Sequence, residues 1–262
     1  MRQTVGAFFV LIASSLGFVV ACSDSSAKDF NDSANAAPSS SASVRDAGKT
    51  TTHGPSAELR RCAAGRREPT SIEDAIGRID ALVPADGPCV VAALPRPLAV
   101  VATLGTVSAQ PAGGKNSPRL FFLLPKLVVS AVPSGPGAEV LEFGEWVSPP
   151  RTIKGELKLP VTAPLATDAA FTKVQSSEGG TLCRSCHRDE ERHPTIANAF
   201  VSEAFRPEPG QLVSIADLSR LHDKCTVDED TSERCAMLHA VFDFGQVQQG
   251  EFDPEVGTFF VP

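Results

Sequence analysis

The chain of 262 residues has no tyrosine and one tryptophan, Trp146, against 15 phenylalanines, so its cores must lean on Phe, Val and Leu. Basic residues are scarce as well. Lys and Arg number 24 against 31 Asp and Glu, the formal charge is −7, and no cluster of the kind a phosphate backbone requires occurs anywhere. No nucleic-acid partner is expected. Beyond the N-terminal run, no stretch is apolar for long enough to span a bilayer. Met237 is the only methionine besides Met1. Gly113-Gly114-Lys115 lacks the upstream glycine of a phosphate loop and reads as a hairpin tip. Glu139, Glu142 and Glu145 do not make a catalytic pair, because on a strand this spacing puts Glu142 on the face opposite the other two.

What the N-terminus does have is Arg2 and then an apolar run from Val5 to Ala21, the marks of a secretory leader over residues 1–21. The run ends at Cys22, and Val19-Val20-Ala21-Cys22 resembles the lipobox of bacterial lipoproteins. That resemblance implies cleavage before Cys22, acylation of its thiol and amine, and a lipid anchor in the bacterial cell envelope facing the periplasm. Ser23 in place of Asp after the cysteine points to the outer membrane. The competing readings are an ordinary signal peptide with Cys22 incidental, or an uncleaved helix, for which the run is short. Residues 22–57 are rich in Ser, Ala, Asp and Asn and cannot bury enough surface to offset their ordering entropy, so they read as a tether in which His53 is simply solvated.

Cys183-Arg184-Ser185-Cys186-His187 reads C-x-x-C-H, which resembles the attachment motif of c-type cytochromes. Two thiols at this spacing can each bond one vinyl group of a porphyrin, and the adjacent histidine can supply the proximal iron ligand. The resemblance implies one covalent haem c at Cys183 and Cys186 with His187 on the iron. An exported chain is the compartment this chemistry needs. Of seven cysteines, Cys22 takes lipid and two take haem, leaving an even number. Sequence order suggests disulfides Cys62–Cys89 and Cys225–Cys235, although three connectivities are formally open.

The remaining pattern predicts an α+β protein. In a first folded domain, residues 58–176, a short helical piece opens the chain. Thr70 or Ser71 then caps a helix with Ile72, Ile76, Ile79 and Leu82 at helical spacing. Short β-like runs follow at 98–104, 119–124, 127–132, 139–146 and 151–159, the last alternating Ile153, Gly155, Leu157 and Leu159 with Lys154, Glu156 and Lys158. They suggest an antiparallel sandwich or barrel-like domain. Residues 177–262 read as a small, mainly helical haem domain like that of class I cytochromes c. Its helices begin at 183–192, recur near 195–205 and 214–225, and end with one capped by Asp230, with Glu233 at its third position.

The distal iron ligand is assigned to Met237, 50 residues after His187, with His239, His222 and His193 as alternatives; on a helix His193, six positions on, would point away from His187, and a short loop can hardly reach over the ring. A five-coordinate iron is the remaining choice and would move the reading toward ligand sensing. The expected function is an envelope electron carrier working with redox proteins, not a catalyst, since no distal Arg–His arrangement of a haem enzyme is present. The alternative is a zinc- or disulfide-stabilised binding lipoprotein without haem, in which Cys183, Cys186, Cys225 and Cys235 hold zinc, or His187 replaces one thiolate.

Overall fold

Five strands run in sequence: β1 (Leu98–Thr103), β2 (Arg119–Leu123), β3 (Leu127–Ala131), β4 (Val140–Ser148) and β5 (Arg151–Lys158), each antiparallel to the next. The computed structural model describes residues 54–227 and 232–259; the leader, Cys22, most of the tether with His53, and Asp230 lie outside them. Because side chains alternate across a strand, each strand sends one set to either face. Leu120 and Phe122, Val129 and Ala131, Leu141 and Phe143, and Ile153 and Leu157 make the apolar face, all of them buried in one core.

That face is covered by helices. Ser56 caps α1 (Ala57–Ala64), Ser71 caps α2 (Ile72–Asp80) and Asp86 caps α3 (Gly87–Ala92), each side chain accepting from a backbone N–H three residues on. Ile72, Ala75, Ile76 and Ile79 form the buried stripe of α2. At α4 (Ala169–Lys173), Ala170 reaches the sheet where Gly155 leaves room: a Cβ on that glycine would lie 3.1 Å from the Ala170 Cβ. The Cys62–Cys89 disulfide ties α1 to α3.

The chain after residue 176 is not a helical domain with its own core. It adds β6 (Glu191–Arg192), β7 (Phe200–Glu203), β9 (Leu212–Val213) and β10 (Val247–Gln249) to the same sheet. β7 pairs with β5 and β6 with β7, while β10 and β9 pair one after the other along the edge of β1 that β2 leaves free. Among the described residues the result is one nine-stranded, mostly antiparallel sheet that does not close into a barrel. β8 (Phe205–Arg206) and β11 (Gly257–Thr258) form a separate parallel pair. Two helices, α5 (Ile215–Val227) and α6 (Glu233–Phe242), are joined by the Cys225–Cys235 disulfide. Apart from the main core, this segment gathers only Cys225, Cys235 and Leu238, too little to fold alone.

Three local expectations give way for identifiable reasons. Residues 200–203 form a strand rather than a helix because β5 offers an unpaired edge at Arg151–Ile153, and Phe200-Val201 suits it. The segment after Cys183 is a single 3₁₀ turn, Leu182–Ser185, not the start of a long helix. Among the described residues the cap of α6 is Ser232, whose side chain accepts from the Cys235 N–H, so Glu233 is the first residue of the helix and not its third.

Glu145, which alternation sends to the helix face, accepts from the Ile72 N–H at 2.8 Å and so ties the first turn of α2 to β4. Glu145→Ala leaves that N–H without a partner and should cost about 1–2 kcal/mol, read as a lower urea midpoint at unchanged slope.

Candidate functional site

The other face of the sheet is concave and mixes charged with aromatic and aliphatic side chains. Alternation places Arg119 and Phe121, Val128 and Ser130, Glu142 and Trp146, and Thr152 and Lys154 along it, on β2 to β5. With the turn that carries Cys183 and Cys186, and with Phe205, Phe252 and Phe259 from the C-terminal part, they enclose a cavity of about 620 Å³. That volume lies in the range of small-molecule and cofactor sites.

The motif is wound tightly at the mouth. Thr181 Oγ1 accepts from the Cys183 N–H at 3.1 Å, and Glu190 in turn accepts from the Thr181 N–H at 2.8 Å. Gly179 and Gly180 take φ of 83° and 76°, a left-handed entry that suits glycine. The Cys183 carbonyl accepts from the N–H groups of Cys186 and His187, at 3.1 and 2.8 Å. This single turn brings both thiols and the imidazole to one cavity, and both thiols are free. Cys186 is exposed, whereas burial pushes the Cys183 thiol up to about 11, so it is protonated at neutral pH.

His187 is held by its Nδ1, which donates to the Glu203 carbonyl at 2.7 Å. A carbonyl can only accept, so Nδ1 carries the proton and Nε2 keeps its lone pair. The ring stacks on Phe205 with centroids 5.3 Å apart. Burial, helped by the Lys154 ammonium, pushes the imidazole down to about 4. At neutral pH it is the uncharged ligand form.

Lys154 belongs to this wall, although alternation with Ile153 and Leu157 marks it as a solvated residue. It is buried, and its ammonium donates to the Glu203 carbonyl at 2.8 Å and to Thr152 Oγ1. Burial pushes it down to about 8. Arg119 Nη2 pairs with Glu142 Oε2 at 2.5 Å, donates to Ser130 Oγ at 3.0 Å, and lies over the Phe121 ring. The signal that could have found these residues is their shared register. Glu142 opposes Ser130 on β3 and Glu156 on β5, so polar positions far apart in sequence line up on one face.

The candidates for the distal ligand are elsewhere. Met237 is 2 % exposed in the helix-side core, with its Cε against Gly87 near Leu159. On α6 this inward-facing thioether packs toward α3 and is not among the residues of the cavity wall. His239 and His222 sit on either side of Asp243, with Nδ1 and Nε2 at 2.7 and 2.8 Å from its two oxygens. Burial pushes that carboxyl up, but the two imidazoles outweigh burial and hold it at about 2. His193 uses Nδ1 to accept from the Ile196 N–H at 3.0 Å. Among the described residues, His187 is the only histidine, and no methionine is present, in the cavity wall. Cys225 and Cys235 are bonded to each other, so the structure does not assemble the four-thiolate set a zinc site would use. The chain matches no protein-family model, no curated protein and no solved structure.

The cavity residues suit a large apolar group with a metal centre: two free thiols, one neutral imidazole with its Nε2 lone pair available, and aromatic walls. In the protein alone, His187 takes up a proton only near pH 4, whereas the unfolded chain does so near 6.5. Between these values the unfolded form binds more protons, so stability present above pH 6.5 is lost as pH falls toward 4. Urea midpoints measured from pH 7 to pH 4 should decline, and His187→Asn should remove that part of the decline.

Proposed function

We propose that the chain is a c-type haem protein of the bacterial cell envelope, with one haem bound through thioethers at Cys183 and Cys186 and with His187 Nε2 as its iron ligand. The observation that carries this reading is the convergence of two free thiols and a neutral imidazole, its Nδ1 turned to the Glu203 carbonyl, on one cavity of about 620 Å³. Ligating histidines characteristically donate their second nitrogen to a carbonyl or carboxylate, which fixes the tautomer. Leu182 and Val107, 66 % and 69 % exposed, stand in the cavity wall, where a macrocycle would cover them. The Val-Val-Ala-Cys end of the leader supports acylation at Cys22 and anchoring in the envelope membrane, with the outer membrane favoured by Ser23. Redox proteins of the same compartment are the natural partners.

Haem supplies a one-electron iron couple and, where its sixth position is open, a site for a small ligand. The residues of this chain bind and orient the group. Cys183 and Cys186 would fix it to the turn, His187 is aimed by the Glu203 carbonyl, and Phe121, Trp146, Phe252 and Phe259 would shield it from water. The placement of Met237, His239, His222 and His193 away from the cavity favours an iron with its sixth position available to an exogenous ligand. A methionine-capped electron carrier is correspondingly disfavoured.

Co-expression with a haem-attachment system tests both parts. A haem-stained band should survive denaturing electrophoresis, vanish in Cys183→Ala with Cys186→Ala, and move from the membrane to the soluble fraction in Cys22→Ala. Met237→Ala should leave the visible spectrum unchanged while costing about 2–5 kcal/mol of stability as a core truncation. An iron-free, colourless product would overturn the haem assignment; a spectrum altered by Met237→Ala would restore methionine to the iron.

A further inference from the structure

Outside the cavity, one group of side chains has the composition of a ligand set. His239 and Asp243 lie four residues apart at the end of α6, so they share a face of that helix. His222 comes from α5, three residues before Cys225, whose disulfide partner Cys235 lies four residues before His239. The covalent bond therefore fixes the two helices against each other beside the three side chains. His222 Nε2, His239 Nδ1 and the Asp243 carboxylate all fall within 4.8 Å of one another. We propose that His222, His239 and Asp243 bind one divalent transition-metal ion of the zinc class, at a site separate from the cavity.

The contacts inside the group point to a cation. His239 Nδ1 lies 2.7 Å from Asp243 Oδ2 and bonds to it in the ordinary way. His222 Nε2 lies 2.8 Å from Oδ1, an ion-pair contact when the ring is protonated, but makes no directed hydrogen bond although it is buried. A buried ring nitrogen without a directed hydrogen bond calls for a partner that serves it and the carboxylate together. A metal ion does so through both lone pairs at once. The Phe242 ring tilts against the His222 ring with centroids 5.3 Å apart, and Leu221, Leu238 and the disulfide close the inner side. Such an apolar shell strengthens the attraction between an ion and its ligands.

The donor set also fixes the class. Two imidazoles and one carboxylate suit zinc, copper, nickel or iron, whereas calcium and magnesium require oxygen ligands throughout. Three protein ligands leave a position for water or another small donor. None of the three residues lines the haem cavity, so the site stands whether or not haem is attached.

Zinc is the probe for the test. The full chain carrying Cys183→Ala and Cys186→Ala, which removes the two free thiols of the described residues as competitors, is stripped with chelator and titrated by equilibrium dialysis. One tightly held zinc per chain is expected, together with a zinc-dependent rise in melting temperature. His222→Ala and Asp243→Asn should each weaken binding at least about 100-fold, more than the loss typical of residues that only support a ligand. His193→Ala serves as the control and should leave binding unchanged. If a site variant unfolds, the comparison moves to His222→Gln, which keeps the volume but loses the nitrogen ligand. Absence of tight zinc in the parent chain, or equal binding by parent and site variants, would overturn the proposal.

Discussion

The Glu203 carbonyl accepts from His187 Nδ1 and from Lys154 Nζ, and its position is set by the pairing of β7 with β5. The order of cause runs from sequence to site. Phe200-Val201-Ser202-Glu203 completes the edge that β5 leaves open, and the end of that strand stands behind the motif turn. The carbonyl fixes the tautomer of His187 and so decides which nitrogen keeps its lone pair. It also helps to make a buried lysine tolerable. An ammonium removed from water costs several kcal/mol unless hydrogen-bonded, and Thr152 and Glu203 together supply those bonds.

The sheet divides the labour of the protein between its faces. One face is a Phe-, Leu- and Val-rich core under α1 to α4 and α6, clasped by the Cys62–Cys89 bond. The opposite face carries charge: Arg119 with Glu142, and Lys154 near Cys183. Such pairs contribute little to folding compared with burying Phe122 or Leu141, because desolvation consumes much of their attraction. Their presence in a concave wall is therefore better explained by what the cavity holds than by stability. On our reading that content is a haem, aimed by one backbone carbonyl and attached at one turn.

Much of the frame was legible in the sequence, because it rests on local signals. The strands at 98–103, 119–123, 127–131, 140–148 and 151–158 follow short β-rich runs set apart by Pro and Gly, the last with clean alternation, and α2 follows a Ser cap and an apolar stripe. The disulfides join cysteines adjacent in the order that remains once the motif is set aside. What was not legible depends on distant partners. Residues 200–203 become a strand only because β5 has a free edge, and Lys154 is buried only because residues from 183 to 206 fold over its face. Met237 looked like an iron ligand through its rarity and its distance from the motif, yet helix packing against α3 directs it to the opposite side of the sheet.

The account stands or falls on the chemical state of Cys183 and Cys186. Intact and peptide mass spectrometry of the envelope-extracted protein, denatured and treated with an alkylating reagent without reduction, reads that state directly. Our account predicts that the peptide spanning residues 183–187 carries the mass of one haem, that neither cysteine alkylates, and that the other two pairs remain as disulfides. Two alkylated thiols at 183 and 186, or a disulfide between them, in protein from a haem-competent host would contradict it.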